Sequence, residues 1–467
     1  MSVTLNAQPR EIRRLLIANR GEIALRIQRA CRELGIQVVQ VYSEADRDSL
    51  AVQLADHAIC IGPARATQSY LRGERVLEAA QAMRADAIHP GYGFLSENAA
   101  FAALCEREGM TFVGPRAEVI SAMGDKARAR ATARECGVPV TPGSLGTEAS
   151  AADALKVAAR IGYPVILKAV AGGGGRGMRV VEHADALESA FDNAALEART
   201  AFGDATLYIE RYLSEIRHIE IQVLSDGHTV LNLGERDCSS QRRNQKLIEE
   251  GPAPKLPPTL RTAMGEAALR LCRHVGYTSA GTVECIVDPA AESFYFMEMN
   301  TRIQVEHPVT ECLTGVDIVK QQIRIAAGER LALQQGDVQV QGHAIECRIN
   351  AEDPQRDFAP CPGTVTGLRF PGGPGVRVDS HLFEGYRVPP DYDSLLAKLV
   401  SFGRDRDEAL VRMQRALSEL RIEGVQTTAA FLAQLLGSDT FRRGAVHTRF
   451  VESFIGGSGG GISGAAR

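Results

Sequence analysis

The sequence predicts a protein of mixed α/β and α+β architecture in about three domains. Its 467 residues set that scale. Residues 13–120 alternate short apolar runs with segments of helical period, which implies parallel strands covered by helices. Beyond residue 213 the strands alternate polar with apolar side chains, the pattern of half-buried sheet.

Leu15–Asn19 reads as a buried strand, and the helix after it places Ile23, Ile27, Cys31 and Leu34 on one face. QVVQVYS, DAIHP and Thr111–Pro115 read as further strands. Residues 140–212 form a separate small α+β unit. There Ser150 with Asp153 makes a capping box for a helix through Arg160. The strand YPVILKAV, a glycine run, MRVVE, a helix over Ala184–Arg199 and the strand TLYIERY follow. VPVTPGS and EEGPAPKLPP supply joints. Residues 213–325 hold helices over Leu260–Val275 and Gly315–Ala327 with a hairpin between them. Residues 342–452 mix strands with a helix that opens at Asp405 and buries Leu410, Met413, Leu417 and Leu420. The Gly/Ser-rich end, 455–467, reads as a flexible tail.

Composition narrows the function. A net charge of −4 offers no broad basic field for nucleic acid or anionic membrane. No run of about 18 apolar residues exists to span a bilayer, and MSVTLNAQPR lacks a signal-peptide core. Ten Cys without a C-x-x-C pair read as buried hydrophobes in a reducing compartment, which places the chain in the cytoplasm.

The run Gly172–Gly175, Arg176, Gly177 exposes consecutive backbone N–H groups to which phosphate oxygens have close access. A mobile hairpin turn is the alternative, and Lys168 at the end of PVILK tips the balance toward phosphate. In the hairpin Thr282–Asn300, a turn centred on Ala291 sets Glu284 opposite Glu298, on one face with Ile286 and Phe296, and Asn300 next along. Opposed carboxylates repel unless a hard cation lies between them, so the pattern suits Mg²⁺ or Mn²⁺ better than two solvated acids. In an extended segment Arg302, Gln304 and Glu306 point one way. They make a pocket for a small oxyanion, with an exposed Arg–Glu pair as the alternative. Glu346, Arg348 and Asn350 share a strand face, which fits a structural Glu346–Arg348 ion pair as well as a site. By itself ERDCSSQRRNQK reads as a solvated basic turn and His218 in RHIEIQ as a structural group.

HPGYGFLSEN, MGDK around Lys126, PVILKA with its glycine loop and RGM, RHIEIQ, ERDCSSQRRNQK, MEMNTRIQVEHPVTE and ECRINAEDP together resemble the biotin carboxylase family, in the same order, from about Arg13 to about Phe454. The resemblance implies an ATP-grasp fold. Its parts are a Rossmann-like N-terminal domain over 13–123, an ATP-grasp domain over 124–325 with a mobile ATP lid at about 140–212, and a C-terminal biotin carboxylase domain over 342–454. It implies ATP binding by Lys126, Lys168, Gly174, Gly175, Met178, Glu210, Arg211, Tyr212, Leu213, His218, Gln241, Asn244, Glu284, Ile286 and Glu298. Bicarbonate falls to Lys246, Arg302, Gln304, Val305 and Glu306, and biotin to Tyr92, Gly93 and Arg348. Glu284, Glu298 and Asn300 take two Mg²⁺ or Mn²⁺ ions, and Arg302, Glu306, Arg348 and Lys246 carry the chemistry.

The implied reaction phosphorylates bicarbonate with ATP and carboxylates biotin on a separate carrier protein. The partners it implies are a biotin carboxyl carrier protein, carboxyltransferase subunits and a second copy in a homodimer. No Met-Lys-Met attachment motif occurs, in keeping with a separate carrier. The acyl acceptor that the resemblance favours is acetyl-CoA, for fatty acid synthesis. Asn244 stands where the family has His, Ala171 where it has Gly, and Glu215-Ile216 where it has Asn-Pro; none touches the metal or bicarbonate residues. The rival readings are another ATP-grasp carboxylate ligase and a non-catalytic ATP-binding subunit.

Overall fold

The computed structural model describes residues 10–144, 146–148, 150–170 and 178–457. Ala171, Gly174, Gly175 and the tail beyond Gly457 lie outside the described residues.

Strands β1 (Arg14–Ile17), β2 (Gln37–Ser43), β3 (His57–Gly62), β4 (Ala87–His89) and β5 (Thr111–Phe112) form a parallel sheet in the order β3-β2-β1-β4-β5. Alternation along β1 explains its two covered faces. Leu15 and Ile17 pack with Ile23, Ile27 and Cys31 of helix α1 (Gly21–Glu33), whereas Leu16 packs with Val39, Val41 and Ile88 on the other side. Leu34 caps α1 and is only half-buried. The edge strand β3 was not singled out, because its apolar run, residues 58–61, is short and half of the strand stays exposed.

A second unit holds β6 (Val165–Ala169), β7 (Met178–Val181) and β8 (Leu207–Arg211), antiparallel in the order β7-β6-β8. The capping box at Ser150 is half made. Its Oγ accepts from the Asp153 N–H, but the Asp153 carboxylate binds that same hydroxyl instead of the Ser150 N–H.

The third sheet is antiparallel and eight-stranded. It comprises β9 (Arg217–Asp226), β10 (Val230–Arg242), β11 (Gln245–Gly251), β12 (Thr278–Asp288), β13 (Ser293–Asn300), β14 (His343–Asn350) and the strands Val376–Ser380 and Leu395–Gly403. The pairing of β11 with β14 carries this sheet unbroken across residues 326–342. On β14, Ile345, Cys347 and Ile349 pack under the helices Arg406–Glu419 and Ala429–Gly437, leaving Glu346, Arg348 and Asn350 for the opposite face. Leu420 ends its helix half-buried. The helix Phe450–Gly457 runs into the segment read as tail, because Phe450 and Val451 anchor it in that core.

Two further expectations are corrected. The hairpin pairs Glu284 with Glu298 and Thr282 with Asn300 as read, but a bulge follows. Ile286 then faces Tyr295, and Phe296 faces Cys285 and packs in the apolar core at the wall of the site. Cys60 is exposed, so the buried-hydrophobe reading fails there. Among the described residues no helix is long and apolar enough to cross a membrane.

Candidate active site

A cleft of about 790 Å³ opens where the three sheets meet. The parallel sheet contributes Tyr92 and Gly93 from the loop after β4, and the three-stranded unit contributes Lys168, Met178 and Glu210. His218, Gln241, Asn244, Lys246, Glu284, Ile286, Glu298, Asn300 and Arg348 come from the long sheet; Lys126, Arg302, Gln304 and Val305 complete the set. Arg211, Tyr212 and Leu213 do not line it: Glu210 points inward from β8, so the alternation turns Arg211 to solvent.

Lys168 Nζ donates to Glu210 Oε2 at 2.6 Å, and Arg130 pairs with the other oxygen. Asn244 sits in the turn between β10 and β11, where Arg243 and Asn244 have φ of 48° and 64°. That left-handed pair is the geometry of a tight hairpin turn and suits Asn well.

The centre of the cleft is an acid–base network. Lys246 Nζ donates to Glu220 at 2.7 Å, Glu284 at 3.0 Å and Glu306 at 2.6 Å. Burial works against its charge, but the acidic groups around it hold the ammonium well above its ordinary value. Glu306 is fully buried behind the lining; its second oxygen accepts from Arg348 at 2.8 Å. Burial would raise its carboxyl, yet Lys246 and Arg348 hold it well below the usual carboxylate range. Arg348 also donates to Glu249 at 2.6 Å, and it is Glu249 and Glu306, not Glu346, that pair with it.

Arg302, Gln304 and Glu306 do converge, though not along a strand. β13 ends at Asn300, residues 301–306 turn, and a helix begins at His307. Arg302 donates to Gln304 at 3.1 Å, to Asn300 at 2.9 Å and to Glu97 at 2.9 Å. Gln304 and Asn300 each donate to Glu284, at 2.8 and 2.9 Å. His218 Nε2 lies 3.0 Å from Glu284, so it belongs to the cluster.

Glu298 supplies the test of a cation. Glu284 is satisfied by its neighbours, but Glu298 makes no hydrogen bond or ion pair among the described residues. Burial and the opposing Glu284 carboxylate push its carboxyl up. Two carboxylates and an amide oxygen are hard donors, so the residues fit Mg²⁺ or Mn²⁺. Glu298→Gln is expected to raise the Tm of the metal-free protein, because it removes a buried repulsion. It is also expected to raise the Mg²⁺ concentration for half-maximal turnover by about tenfold or more.

Several functional residues escaped the sequence. Glu220 shares the His218 alternation on β9 and was findable there. Glu97, Glu249 and fully buried Arg236, which donates to Glu220 at 2.6 Å, act through partners distant in the chain.

Family comparisons now bear on this geometry. Residues 11–120 match the biotin carboxylase N-terminal domain, 125–334 the ATP-binding domain of the carbamoyl-phosphate synthase L chain, and 346–453 the biotin carboxylase C-terminal domain. The middle match alone is shared with the rival ligases; the two flanking matches decide. The chain belongs to the biotin carboxylase family. It is 54% identical to biotin carboxylase 1 of Bacillus subtilis, over 95% of this chain and 99% of that one. It is also 53% identical to a pyruvate carboxylase subunit of Methanothermobacter thermautotrophicus, over 94% of this chain and 90% of that one. Among solved structures, the biotin carboxylase domain dimer of Hydrogenobacter thermophilus 2-oxoglutarate carboxylase, with MgADP, ADP and bicarbonate, aligns with a TM-score of 0.89. That alignment has 48% identity and covers 96% of this chain and 98% of that one. As a biotin carboxylase the chain is an ATP-dependent ligase with the ATP-grasp fold, and its chemistry uses ATP, bicarbonate and biotin.

Proposed function

We propose that this biotin carboxylase carboxylates biotin on a separate carrier protein through carboxyphosphate, as the first half-reaction of an acetyl-CoA carboxylase. The observation that carries the chemistry is Glu306 held between Lys246 and Arg348, an ionised base between two cations. Lys126 and Lys168 hold ATP phosphates, with Gly174 and Gly175 closing over them. Met178, Glu210, His218, Gln241, Asn244 and Ile286 hold the rest of the nucleotide. Domains over 13–123, 124–325 and 342–454 close on it, the segment at about 140–212 acting as the lid.

Bicarbonate rests against Arg302, Gln304, Val305 and Lys246. Glu306 takes its proton as the oxyanion attacks the γ-phosphorus, the bond to the bridging oxygen breaks and ADP leaves, while Lys246 and Arg302 neutralise the growing charge. Carboxyphosphate parts into CO₂ and phosphate, and phosphate takes the proton from the ureido nitrogen of biotin. Arg348 stabilises the ureido oxyanion as the nitrogen attacks CO₂, with Tyr92 and Gly93 beside the ring. Glu284, Glu298 and the Asn300 oxygen would hold Mg²⁺ or Mn²⁺, which supplies further neutralisation of phosphate charge.

Carboxyltransferase subunits, homodimer formation and a cytoplasmic location complete the proposal. The names of two relatives favour a second reading, in which the acceptor is pyruvate or another 2-oxo acid. Capture of the biotinylated carrier from the source cell, followed by transfer from that carrier to acetyl-CoA, pyruvate or 2-oxoglutarate, separates them. Carboxylation of acetyl-CoA supports the first reading, and transfer only to an oxo acid rejects it.

The site also predicts a pH effect on stability. Glu346 is fully buried and neither oxygen has a hydrogen-bond partner among the described residues; burial pushes its carboxyl well above the usual range. Such a group favours the fold while protonated and loses that advantage as pH rises through its folded value. Glu346→Gln is expected to leave stability unchanged below about pH 4, where the unfolded carboxyl is also protonated, and to raise it by roughly 1–3 kcal/mol at high pH, read by urea unfolding.

A further inference from the structure

We infer that Lys398, a fully buried residue of the strand Leu395–Gly403, is a positioning residue that locks the bicarbonate loop to the biotin side of the cleft. This rests on the biotin carboxylase reading above. Lys398 Nζ donates to the backbone carbonyl of Val305 at 2.9 Å and lies 3.1 Å from Glu22 Oε1. The Val305 carbonyl belongs to the peptide that carries the N–H of Glu306, so fixing it fixes where the base departs from the chain. Glu22, buried on α1, accepts in turn from the Tyr92 hydroxyl. One ammonium thus ties the loop after β13, the long sheet and the parallel sheet together.

The setting argues for more than packing. Lys398 faces Arg348 on β14 and Asp379 on the other neighbouring strand. Asp379 Oδ2 is 4.0 Å from its Nζ and is itself bound by Arg377, so Glu22 and the Val305 carbonyl are the near partners of the ammonium. A buried lysine with the biotin-side arginine as its cross-strand neighbour is costly unless it is held by such partners. Its stem replaces what would be an apolar side chain in LLAKLV, where Leu396 and Leu399 are buried apolar.

The test is a kinetic split on the intact enzyme with free biotin. Lys398→Met keeps the stem and removes the charge. It is expected to lower kcat and raise KM for bicarbonate and biotin, with a combined loss of about 10²-fold in catalytic efficiency, as a small misplacement of the base would. KM for ATP should stay at the wild-type value, and Lys398→Arg should recover part of the loss. Tyr92→Phe alone should raise KM for biotin about fivefold and have no further effect in the Lys398→Met background. If Lys398→Met does not fold, the cycle is run with Lys398→Arg. Losses that add independently, or a KM for ATP that rises with the others, overturn the tie. A wild-type enzyme whose ATP turnover ignores bicarbonate and biotin rejects the underlying function instead.

Discussion

Glu306→Gln is expected to cut bicarbonate- and biotin-dependent ATP turnover by about 10²–10⁴-fold while leaving ATP binding intact. The substitution keeps the shape of the side chain and its acceptor toward Lys246. It removes the proton acceptor, and it sets an amide N–H against the Arg348 donor that now bonds to Glu306 at 2.8 Å. Lys126 and Lys168 are untouched, so nucleotide affinity measured by calorimetry should stay close to wild type. Because Lys246 and Arg348 hold Glu306 well below the usual range, the carboxylate is ionised throughout the neutral range. Its protonation in the free enzyme therefore sets no limb of the kcat/KM profile near pH 7. A variant within tenfold of wild type would remove Glu306 from the role of base.

The second large effect is on the cation at the centre. Lys246→Met leaves Glu220, Glu284 and Glu306 facing one another without the ammonium that bonds all three. Breaking a buried ion pair by deleting one partner costs about 3–5 kcal/mol, and here three carboxylates lose the same partner. The expected results are an unfolding free energy, read from urea titration, lowered by at least that amount and turnover too low to measure. The destabilisation should shrink at low pH, where protonated acids no longer repel. Stability within about 1 kcal/mol of wild type would mean that the three acids draw their compensation from elsewhere.

How much of this was legible follows from which interactions are local. The Glu284–Glu298 opposition was readable because a strand alternates at period two and the turn fixes the register, but only up to the bulge, which no pattern of side chains announced. Arg302, Gln304 and Glu306 were rightly grouped for the wrong reason: their convergence comes from a turn feeding a helix, not from a strand face. The Arg348 partner was beyond reach, since Glu249 lies 99 residues away and the nearby Glu346 was the obvious choice. Lys398 went unread for a similar reason. A lysine inside an apolar strand signals something buried, yet its partners belong to α1 and to the loop after β13. The fold was easier, because hydrophobic period is a local property; the edge strand β3, whose apolar run of four residues is half exposed, went unread.

The central claim is that Glu306, Lys246 and Arg302 drive a bicarbonate oxygen onto the γ-phosphorus of ATP. Turnover in ¹⁸O-labelled bicarbonate with free biotin tests it most directly. The account predicts that one labelled oxygen per turnover appears in inorganic phosphate, together with carboxybiotin. Unlabelled phosphate, released while biotin is still carboxylated, would contradict it.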